Sequence, residues 1–248
     1  MSNPDDTREM AYGFDQQTAA VLMARYAIFK TFTEDAMDVI RWADRMLIKL
    51  VARFADYKKD DAASFRLSNE FNLFPQFMFY LRRSPFLQTF NASPDESQYY
   101  VSSIMRENVG NSLVMIQPAL MSCDLESEAG SPVLLDIDSM KNNVILLLDT
   151  FFYVCIWKGP TIVQWQKAGY HNDPNHENFK LLLEAPREDA KYIMQERFPM
   201  PRFFVTVPGD TNERKIKVKV NPSKLSATNS TVADGNFHTE DVSLNLFM

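Results

Sequence analysis

The hydrophobic pattern of this chain changes period near its middle, and this change limits the folds that the chain can adopt. Between residues 33 and 57, apolar residues recur at three-, four- and seven-residue steps, which places one set on a single helical face: Met37, Ile40, Leu47, Leu50 and Phe54. Beyond residue 112, apolar residues form short runs that end at turn residues, a pattern typical of strands. The sequence therefore predicts a helical region followed by a region built on a sheet.

Further helical signals fill the first part of the chain. Residues 15–31 and 74–83 read as helices, and a polar break at residues 58–61 separates the amphipathic segment from the helix at residues 74–83. Ser93 followed three residues later by Glu96 is a capping box, in which two side chains satisfy backbone N–H groups at the start of a helix. The first part is therefore predicted to be all-helical.

The second part mixes strand and helix signals. Strands are expected at residues 113–116, 144–148, 151–157, 202–207 and 215–220. Helices are expected at residues 162–168, 177–184 and 186–197. The segment 215–220 alternates lysine with isoleucine or valine, as a half-exposed strand does. The predicted fold class is α+β, with an all-α helical domain followed by an α/β domain whose central mixed sheet is flanked by helices.

These patterns predict three stretches along the 248 residues. Residues 1–12 are expected to be a disordered N-terminal segment, residues 13–110 the helical domain, and residues 111–248 the sheet-containing domain. A composition that is 46% hydrophobic supplies enough apolar side chains for two cores.

Composition and charge exclude several classes of function. The formal net charge is −6 and there is no long basic stretch, which argues against general nucleic-acid binding. The polar, acidic N-terminus does not resemble a targeting sequence, and no apolar run approaches the length of a membrane helix. Cys123 and Cys155 have no CxxC neighbour, so they indicate neither a structural zinc site nor a disulfide framework, and they favour a reducing, cytosolic setting.

Motifs for chemistry are sparse in this sequence. It contains no GxxxxGK[ST] phosphate loop, no HExxH and no GxSxG. His171 and His176 lie close to Asp173 and Glu177, but two histidines at this spacing form no standard metal site and are expected to be surface residues. A second pair of acids, Asp136 and Asp138, suggests acid–base catalysis only weakly, because loop carboxylates are usually solvated. No metal, no cofactor and no catalytic site of its own are therefore expected.

Aromatic residues beside arginines in the segment 74–83 suggest stacking on bases as one interpretation: Phe74, Phe77, Phe79 and Tyr80 next to Arg82 and Arg83. Aromatics at helical spacing are more often part of a core. The core interpretation is the one that the sequence favours.

Several strings of residues occur in an order and spacing that resemble one protein family. They include Gly13-Phe14-Asp15-Gln16, Phe74-Pro75-Gln76-Phe77-Met78-Phe79, Leu81-Arg82-Arg83-Ser84, Leu146-Leu147-Leu148-Asp149-Thr150-Phe151-Phe152, Phe198-Pro199-Met200-Pro201-Arg202 and Asn221-Pro222-Ser223. The chain is similar to the C-terminal part of the Sec twenty-three family, the GTPase-activating subunit of the COPII inner coat. The strings Leu81–Ser84 and Phe198–Arg202 favour this branch over the related cargo-binding subunit.

The resemblance implies a helical domain followed by a gelsolin-like domain. It also implies that a zinc finger, a trunk domain and a β-sandwich precede this region in the family, so the zinc site lies outside this chain. We expect this chain to be a partial product, an incomplete gene model or a fragment.

The resemblance assigns a chemical role to Arg214. This arginine lies twelve positions after Arg202 and seven before Asn221, which is the family spacing of an arginine that enters the active site of the Sar-family GTPase. A guanidinium offers permanently charged donors to the phosphoryl oxygens. The family has Gly-Gly-Ser-Gln-Ala-Arg here, whereas this chain has Asp210 and Glu213 in that stretch. Glu213 beside the arginine is expected either to pair with Arg214 or to disfavour a phosphate site nearby, and the pattern alone suggests an arginine at an exposed strand edge.

The resemblance also implies partners and a location. The partners are a Sar-family small GTPase, the cargo-binding inner-coat subunit and proline-rich segments of the outer coat. The location is cytoplasmic, peripheral on endoplasmic reticulum membranes and COPII vesicles, in transport to the Golgi. The alternatives are a gelsolin-like module that binds actin or another protein, and a truncated inactive fragment.

Overall fold

Two capped helices begin the described part of the chain, in a computed structural model that describes residues 11–88, 92–126, 130–220 and 247. Helix α1 spans Gln16–Thr31, and the carboxylate of Asp15 accepts hydrogen bonds from backbone N–H groups in its first turn. Helix α2 spans Ala36–Phe54 and is capped in the same way by Asp35. Both helices were predicted, because carboxylate caps and apolar stripes are local signals.

A β-hairpin follows at the predicted polar break. Strand β1, Ala55–Lys58, pairs antiparallel with strand β2, Asp61–Leu67, so the polar residues 58–61 form the turn. The hairpin was missed because its strands are short, mostly exposed and rich in charged residues. Its register is irregular between Asp56 and Lys58.

Three more helices complete the first of two units, which divide between Gln117 and Pro118. They are α3 Phe74–Arg82, α4 Pro94–Arg106 and α5 Val109–Ile116. The Ser93 hydroxyl accepts a hydrogen bond from the Glu96 N–H, which confirms the predicted cap. The prediction of a strand at residues 113–116 was wrong. Asn108 caps the segment through the Asn111 N–H, and a cap commits so short an apolar run to a helix.

The core of the first unit is centred on α1, which packs against α2, α3 and α5. Its small and branched residues are almost fully buried: Ala20, Val21, Ala24, Ala27 and Ile28. Arg25 lies at the edge of this core. Its guanidinium donates to the carbonyl oxygens of Ile104 at 3.0 Å and Glu107 at 2.5 Å, which satisfies the free carbonyls at the end of α4.

The second unit is built on a five-stranded mixed sheet with strand order β4-β3-β5-β6-β7. The strands are β3 Ala119–Cys123, β4 Ser131–Pro132, β5 Ile145–Asp149, β6 Tyr153–Lys158 and β7 Arg202–Thr206. All neighbours are antiparallel except β6 and β7, which run parallel. The crossover between them contains α6 Pro160–Lys167 and α7 Glu177–Gln195. The predicted sheet flanked by helices is confirmed.

Helix α7 is one continuous helix, although two were predicted at residues 177–184 and 186–197. Proline inside a helix removes a backbone hydrogen bond and usually breaks it. Here Leu182, Pro186 and Ala190 follow one another at four-residue steps and are all buried. The proline ring therefore contributes to the core-facing stripe of the helix, and this packing offsets the lost hydrogen bond.

The predicted strand at residues 215–220 was also wrong, because this segment begins with a short helix, α8, Glu213–Lys217. The exposure of the apolar residues explains the error. Ile216 and Val220 are buried, whereas Val218 between them is 62% exposed. The burial period is four rather than two, so the alternation of lysine with apolar residues was coincidental.

Parts of the sequence interpretation fall on residues that the structure does not describe. Residues 1–10 of the predicted N-terminal segment, the string Asn221–Ser223 and residues 224–246 of the predicted sheet-containing domain lie outside the described ranges.

Candidate functional site

The candidate site is the surface of α8, which lies on one face of the sheet. In β6, Val154 and Ile156 belong to the core cluster that includes α6 and α7 residues. Since side chains alternate along a strand, Tyr153, Cys155 and Trp157 point to the opposite face. Helix α8 covers this second face.

Two aromatic side chains of β6 hold α8 in place. The Tyr153 hydroxyl donates a hydrogen bond to the backbone carbonyl of Lys215 at 3.1 Å. The Trp157 indole N–H donates to the Glu213 carboxylate at 3.4 Å. The ammonium of Lys215 also lies 4.6 Å from the centre of the Phe204 ring in β7, a cation–π distance. Strands β6 and β7 together therefore fix the position and rotation of this short helix.

Glu213 is the buried polar residue of α8, with 8% of its surface exposed. Besides Trp157, the backbone N–H of Gly209 donates to its carboxylate at 3.0 Å, and the Lys217 ammonium lies 2.9 Å away. Burial alone would raise the pKa of Glu213, but the hydrogen bonds from Gly209, Lys217 and Trp157 and the charge of Lys217 outweigh burial and lower it. The carboxylate is therefore held ionised and turned inward.

Arg214, the arginine singled out in the sequence, follows directly and faces solvent. Its residue is exposed, because Glu213 and Ile216 occupy the buried side of α8. Within residues 11–88, 92–126 and 130–220, no carboxylate forms an ion pair with its guanidinium. The expected strand-edge position was wrong, since the residue lies in the first turn of a helix. The guanidinium remains available to an external anion.

The two acids that depart from the family pattern are both directed away from Arg214. Glu213 binds the three donors described above, so the expected Glu213–Arg214 pair was wrong. Asp210 accepts hydrogen bonds from the hydroxyls of Thr206 and Thr211, each at 3.2 Å. Local donors thus occupy both carboxylates.

The histidine candidates occupy a region of short 3-10 helices, Tyr170–Asn172 and Pro174–His176. The imidazole of His176 lies 3.2 Å from the Asp173 carboxylate and stacks on the Tyr170 ring with centroids 5.0 Å apart. Asp173 also accepts a hydrogen bond from the Asn175 N–H. No cluster of three or more metal-ligating side chains occurs among the described residues.

Two other candidate groups have structural roles. Asp136 caps the 3-10 helix Ile137–Ser139 by accepting from the Asp138 N–H at 2.9 Å. The aromatic residues of α3 are buried, which confirms the core interpretation: Phe74, Phe77, Phe79 and Tyr80. Arg82 pairs with Asp44 at 3.2 Å, and Arg83 lies over the Phe79 ring at 3.7 Å. These arginines therefore support the core instead of presenting a stacking surface.

Both cysteines are buried and free. Burial raises the pKa of Cys123 to about 11 and that of Cys155 to about 12. A thiol with such a pKa stays protonated at neutral pH and is a poor nucleophile.

The residues that support Arg214 were not identified from the sequence. Tyr153 and Trp157 were recognised only as strand residues, and Glu213 was interpreted as a disturbance of the site. The sequence did contain a signal for them. Tyr153 and Trp157 are four residues apart in β6, which places two aromatic side chains with polar ends on the same face of the strand.

Comparisons with known proteins agree with this two-unit architecture. A family model described as the Sec23/Sec24 helical domain matches residues 15–114, and one described as the gelsolin repeat matches residues 126–214. The chain therefore carries a match to the Sec23/Sec24 helical domain followed by a match to the gelsolin repeat. The α8 site lies at the end of the matched gelsolin repeat, and Arg214 is the last residue of that match.

A solved structure shows a similar fold over most of this chain. The crystal structure of the human COPII-coat protein Sec24c is similar over 83% of this chain, with 16% identity and a TM-score of 0.64. This chain spans 28% of the length of that protein. A Thorarchaeota 2DGel3/rabbit actin complex matches 41% of this chain and 44% of its own, with 18% identity. Its TM-score of 0.29 is too low to carry an argument. Within the described part of the chain, none of the helices has the length and apolar character that crossing a membrane requires.

Proposed function

We propose that this chain acts in a COPII vesicle coat and contributes Arg214 to the active site of a Sar-family small GTPase, stimulating GTP hydrolysis. The observation that carries the proposal is the geometry of α8. The guanidinium is exposed, no carboxylate among the described residues pairs with it, and its helix is bonded to the sheet on the other side. The family spacing of this arginine supports the same role.

The physical role of such an arginine is electrostatic. During GTP hydrolysis, negative charge develops on the transferred phosphoryl group and its leaving oxygen. A guanidinium has five donors in a planar fork and does not lose its charge at physiological pH, so it stabilises that transition state. Arginine fingers accelerate hydrolysis by about 10³–10⁵-fold.

The proposed setting follows from the family. The chain would work in transport from the endoplasmic reticulum to the Golgi, as a cytoplasmic protein peripheral to the membrane. Its partners would include the GTPase, the cargo-binding inner-coat subunit and proline-rich outer-coat segments. The fold shared with Sec24c does not distinguish the two branches of the family, and Arg214 is the feature that favours the GTPase-activating branch.

The test is a single-turnover GTP hydrolysis assay with a GTP-loaded Sar-family GTPase and increasing concentrations of this chain. We compare wild type with Arg214→Ala and Arg214→Lys, and use Arg202→Ala, another exposed arginine of the same unit, as the matched control. Stimulation should disappear with Arg214→Ala, fall strongly with Arg214→Lys because an ammonium lacks the bidentate fork, and persist with Arg202→Ala.

The stimulation by this chain alone is expected to be modest, because the resemblance places much of the GTPase contact on a trunk domain. The comparison with Arg214→Ala is therefore made at the highest soluble concentration. Equal rates for wild type and Arg214→Ala, or equal losses for Arg214→Ala and Arg202→Ala, would contradict the proposed role of Arg214.

A further inference from the structure

We propose that Glu213 is the positioning residue for Arg214, a step that rests on the proposed function. Its buried carboxylate ties the first turn of α8 to the sheet and to the preceding turn, and so fixes the direction in which the next residue projects. Arg214 would make the contact with the GTPase, and Glu213 would act only through it.

The three donors to Glu213 come from three different places in the second unit. Gly209 belongs to the turn between β7 and α8 and has a φ of 84°, the left-handed conformation that glycine tolerates. Trp157 belongs to β6, and Lys217 lies one turn further along α8. A single carboxylate thus joins turn, sheet and helix at the position directly before Arg214.

Helix length makes this anchor important. A helix of five residues has one turn and little intrinsic stability, so tertiary contacts must define its orientation. Ile216 supplies a non-directional apolar contact, which permits rotation of the helix more readily than hydrogen bonds do. The bonds to Glu213 and the Tyr153–Lys215 bond restrict that rotation.

The saturation of Glu213 also has an electrostatic consequence. A carboxylate next to a guanidinium normally competes with an external anion for it. Here Gly209 and Lys217 bind one carboxylate oxygen, Oε2, and Trp157 binds the other, Oε1. Since these donors hold the carboxylate on the buried side, Glu213 fixes α8 without withdrawing Arg214 from solvent.

The test uses the hydrolysis assay on the whole chain with Glu213→Ala and Glu213→Gln. Glu184→Ala is the matched control, because Glu184 is an exposed helical glutamate that pairs with Lys180 at four-residue spacing. The maximal stimulated rate and the concentration for half-maximal stimulation are measured separately. The NMR resonance of the Trp157 indole N–H, assigned by its absence in Trp157→Phe, reports on the hydrogen bond between Trp157 and Glu213.

We expect Glu213→Ala to lower the maximal stimulated rate by about 10- to 100-fold, the effect of misplacing a catalytic group by roughly 1 Å. The concentration for half-maximal stimulation should change by less than about threefold, because docking surfaces remain. Glu213→Gln keeps an acceptor oxygen and should recover part of the rate, while Glu184→Ala should match wild type. The indole resonance should shift in both Glu213 variants.

Each contrary outcome has a distinct meaning. If Glu213→Ala keeps the wild-type maximal stimulated rate, the positioning role is overturned and the proposed function stands. The same holds if the variant only raises the concentration for half-maximal stimulation. Absence of stimulation by wild type would overturn the proposed function and this proposal with it. If circular dichroism shows that Glu213→Ala does not fold, the test rests on Glu213→Gln. A Glu213→Gln variant with a shifted indole resonance and the wild-type maximal rate would refute the proposal.

Discussion

At the scale of single residues, the ion pair between Asp149 and Arg197 is expected to be essential for the stability of the second unit. Both side chains are 9% exposed and meet in a two-pronged contact, with Arg197 Nη2 2.6 Å from Asp149 Oδ2. The Asp149 carboxylate also accepts the Phe151 N–H at 2.8 Å. Replacing one partner leaves a buried charge without compensation, so Arg197→Met should lower the free energy of unfolding by about 3–5 kcal/mol.

Urea unfolding monitored by tryptophan fluorescence measures this effect. Arg202→Met is the control, because Arg202 is exposed, and it should change stability by less than about 0.5 kcal/mol. The double variant Asp149→Asn/Arg197→Met removes both charges while an amide oxygen still faces the Phe151 N–H, and should recover part of the loss. Equal midpoints for Arg197→Met and wild type would contradict the buried-pair interpretation.

Single residues also show where sequence reasoning succeeds and fails. Arg214 was singled out by its spacing in the family resemblance, which needs no knowledge of its surroundings, and its role stays a prediction. The role of Glu213 depends on Trp157, which lies 56 residues away. Such a contact exists only once the sheet has formed, and no local pattern indicates it.

At the scale of elements, most helices were predicted well, and the short helices α5 and α8 were not. Asp15 and Ser93 act within three residues of themselves, so their effect is visible in the sequence. The apolar runs that became α5 and α8 are too short for a reliable period, so the Asn108 cap in α5 and the burial pattern at α8 decide between helix and strand. The hairpin of β1 and β2 was missed for the opposite reason, since its strands carry little apolar signal.

Two glycines should respond to alanine with opposite signs. Gly159 lies between β6 and α6, and an added Cβ would lie 2.3 Å from the Asn142 carbonyl oxygen, a backbone atom that cannot move aside cheaply. Gly159→Ala should therefore destabilise the protein by about 1–3 kcal/mol or more. Gly110 lies in α5, where the nearest atom to a Cβ is 3.5 Å away. Gly110→Ala should stabilise by about 0.5–1 kcal/mol, because alanine restricts the unfolded chain.

Thermal unfolding of wild type and the two glycine variants, under one set of conditions, shows whether each substitution raises or lowers the stability. The pair controls for the general effect of replacing glycine, since each variant adds the same single methyl group. A stabilised Gly159→Ala variant would show that residues 141–142 do not approach this glycine so closely.

At the scale of the whole molecule, the order of a helical unit and a mixed-sheet unit was predictable from the change in hydrophobic period. The family strings added the identity of those units, and the similarity to Sec24c covers 83% of the chain. The identity of the partners depends on surfaces that form only when distant parts of the chain come together, so local residue patterns do not predict it. This chain corresponds to 28% of the length of Sec24c. The proposed GTPase activation should therefore also be measured with the other parts of a coat present.

Acid should destabilise both units, because carboxylates with lowered pKa values occur in each. Hydrogen bonds from Thr18 lower the pKa of Asp15 in the first unit. In the second unit, a backbone hydrogen bond from Asn175 lowers that of Asp173, and the contacts of Glu213 lower its pKa despite burial. An acid whose folded pKa lies below its unfolded value contributes stability that is present above the unfolded pKa and lost as pH falls through the folded one. Asp44, whose pKa burial raises, acts in the opposite direction.

The midpoint of urea unfolding should therefore be constant from pH 7 to about pH 5 and fall progressively below it, where ordinary Asp and Glu side chains begin to protonate. Glu213→Gln cannot lose a charge at this position, so its midpoint should fall less between pH 7 and pH 3 than that of wild type. Its stability at pH 7 should already be lower, since the Gly209 and Lys217 contacts are weakened. A Glu213→Gln midpoint that falls as steeply as wild type would show that this carboxylate is not linked to folding, and a midpoint that rises on acidification would mean that Asp44 outweighs the capping acids.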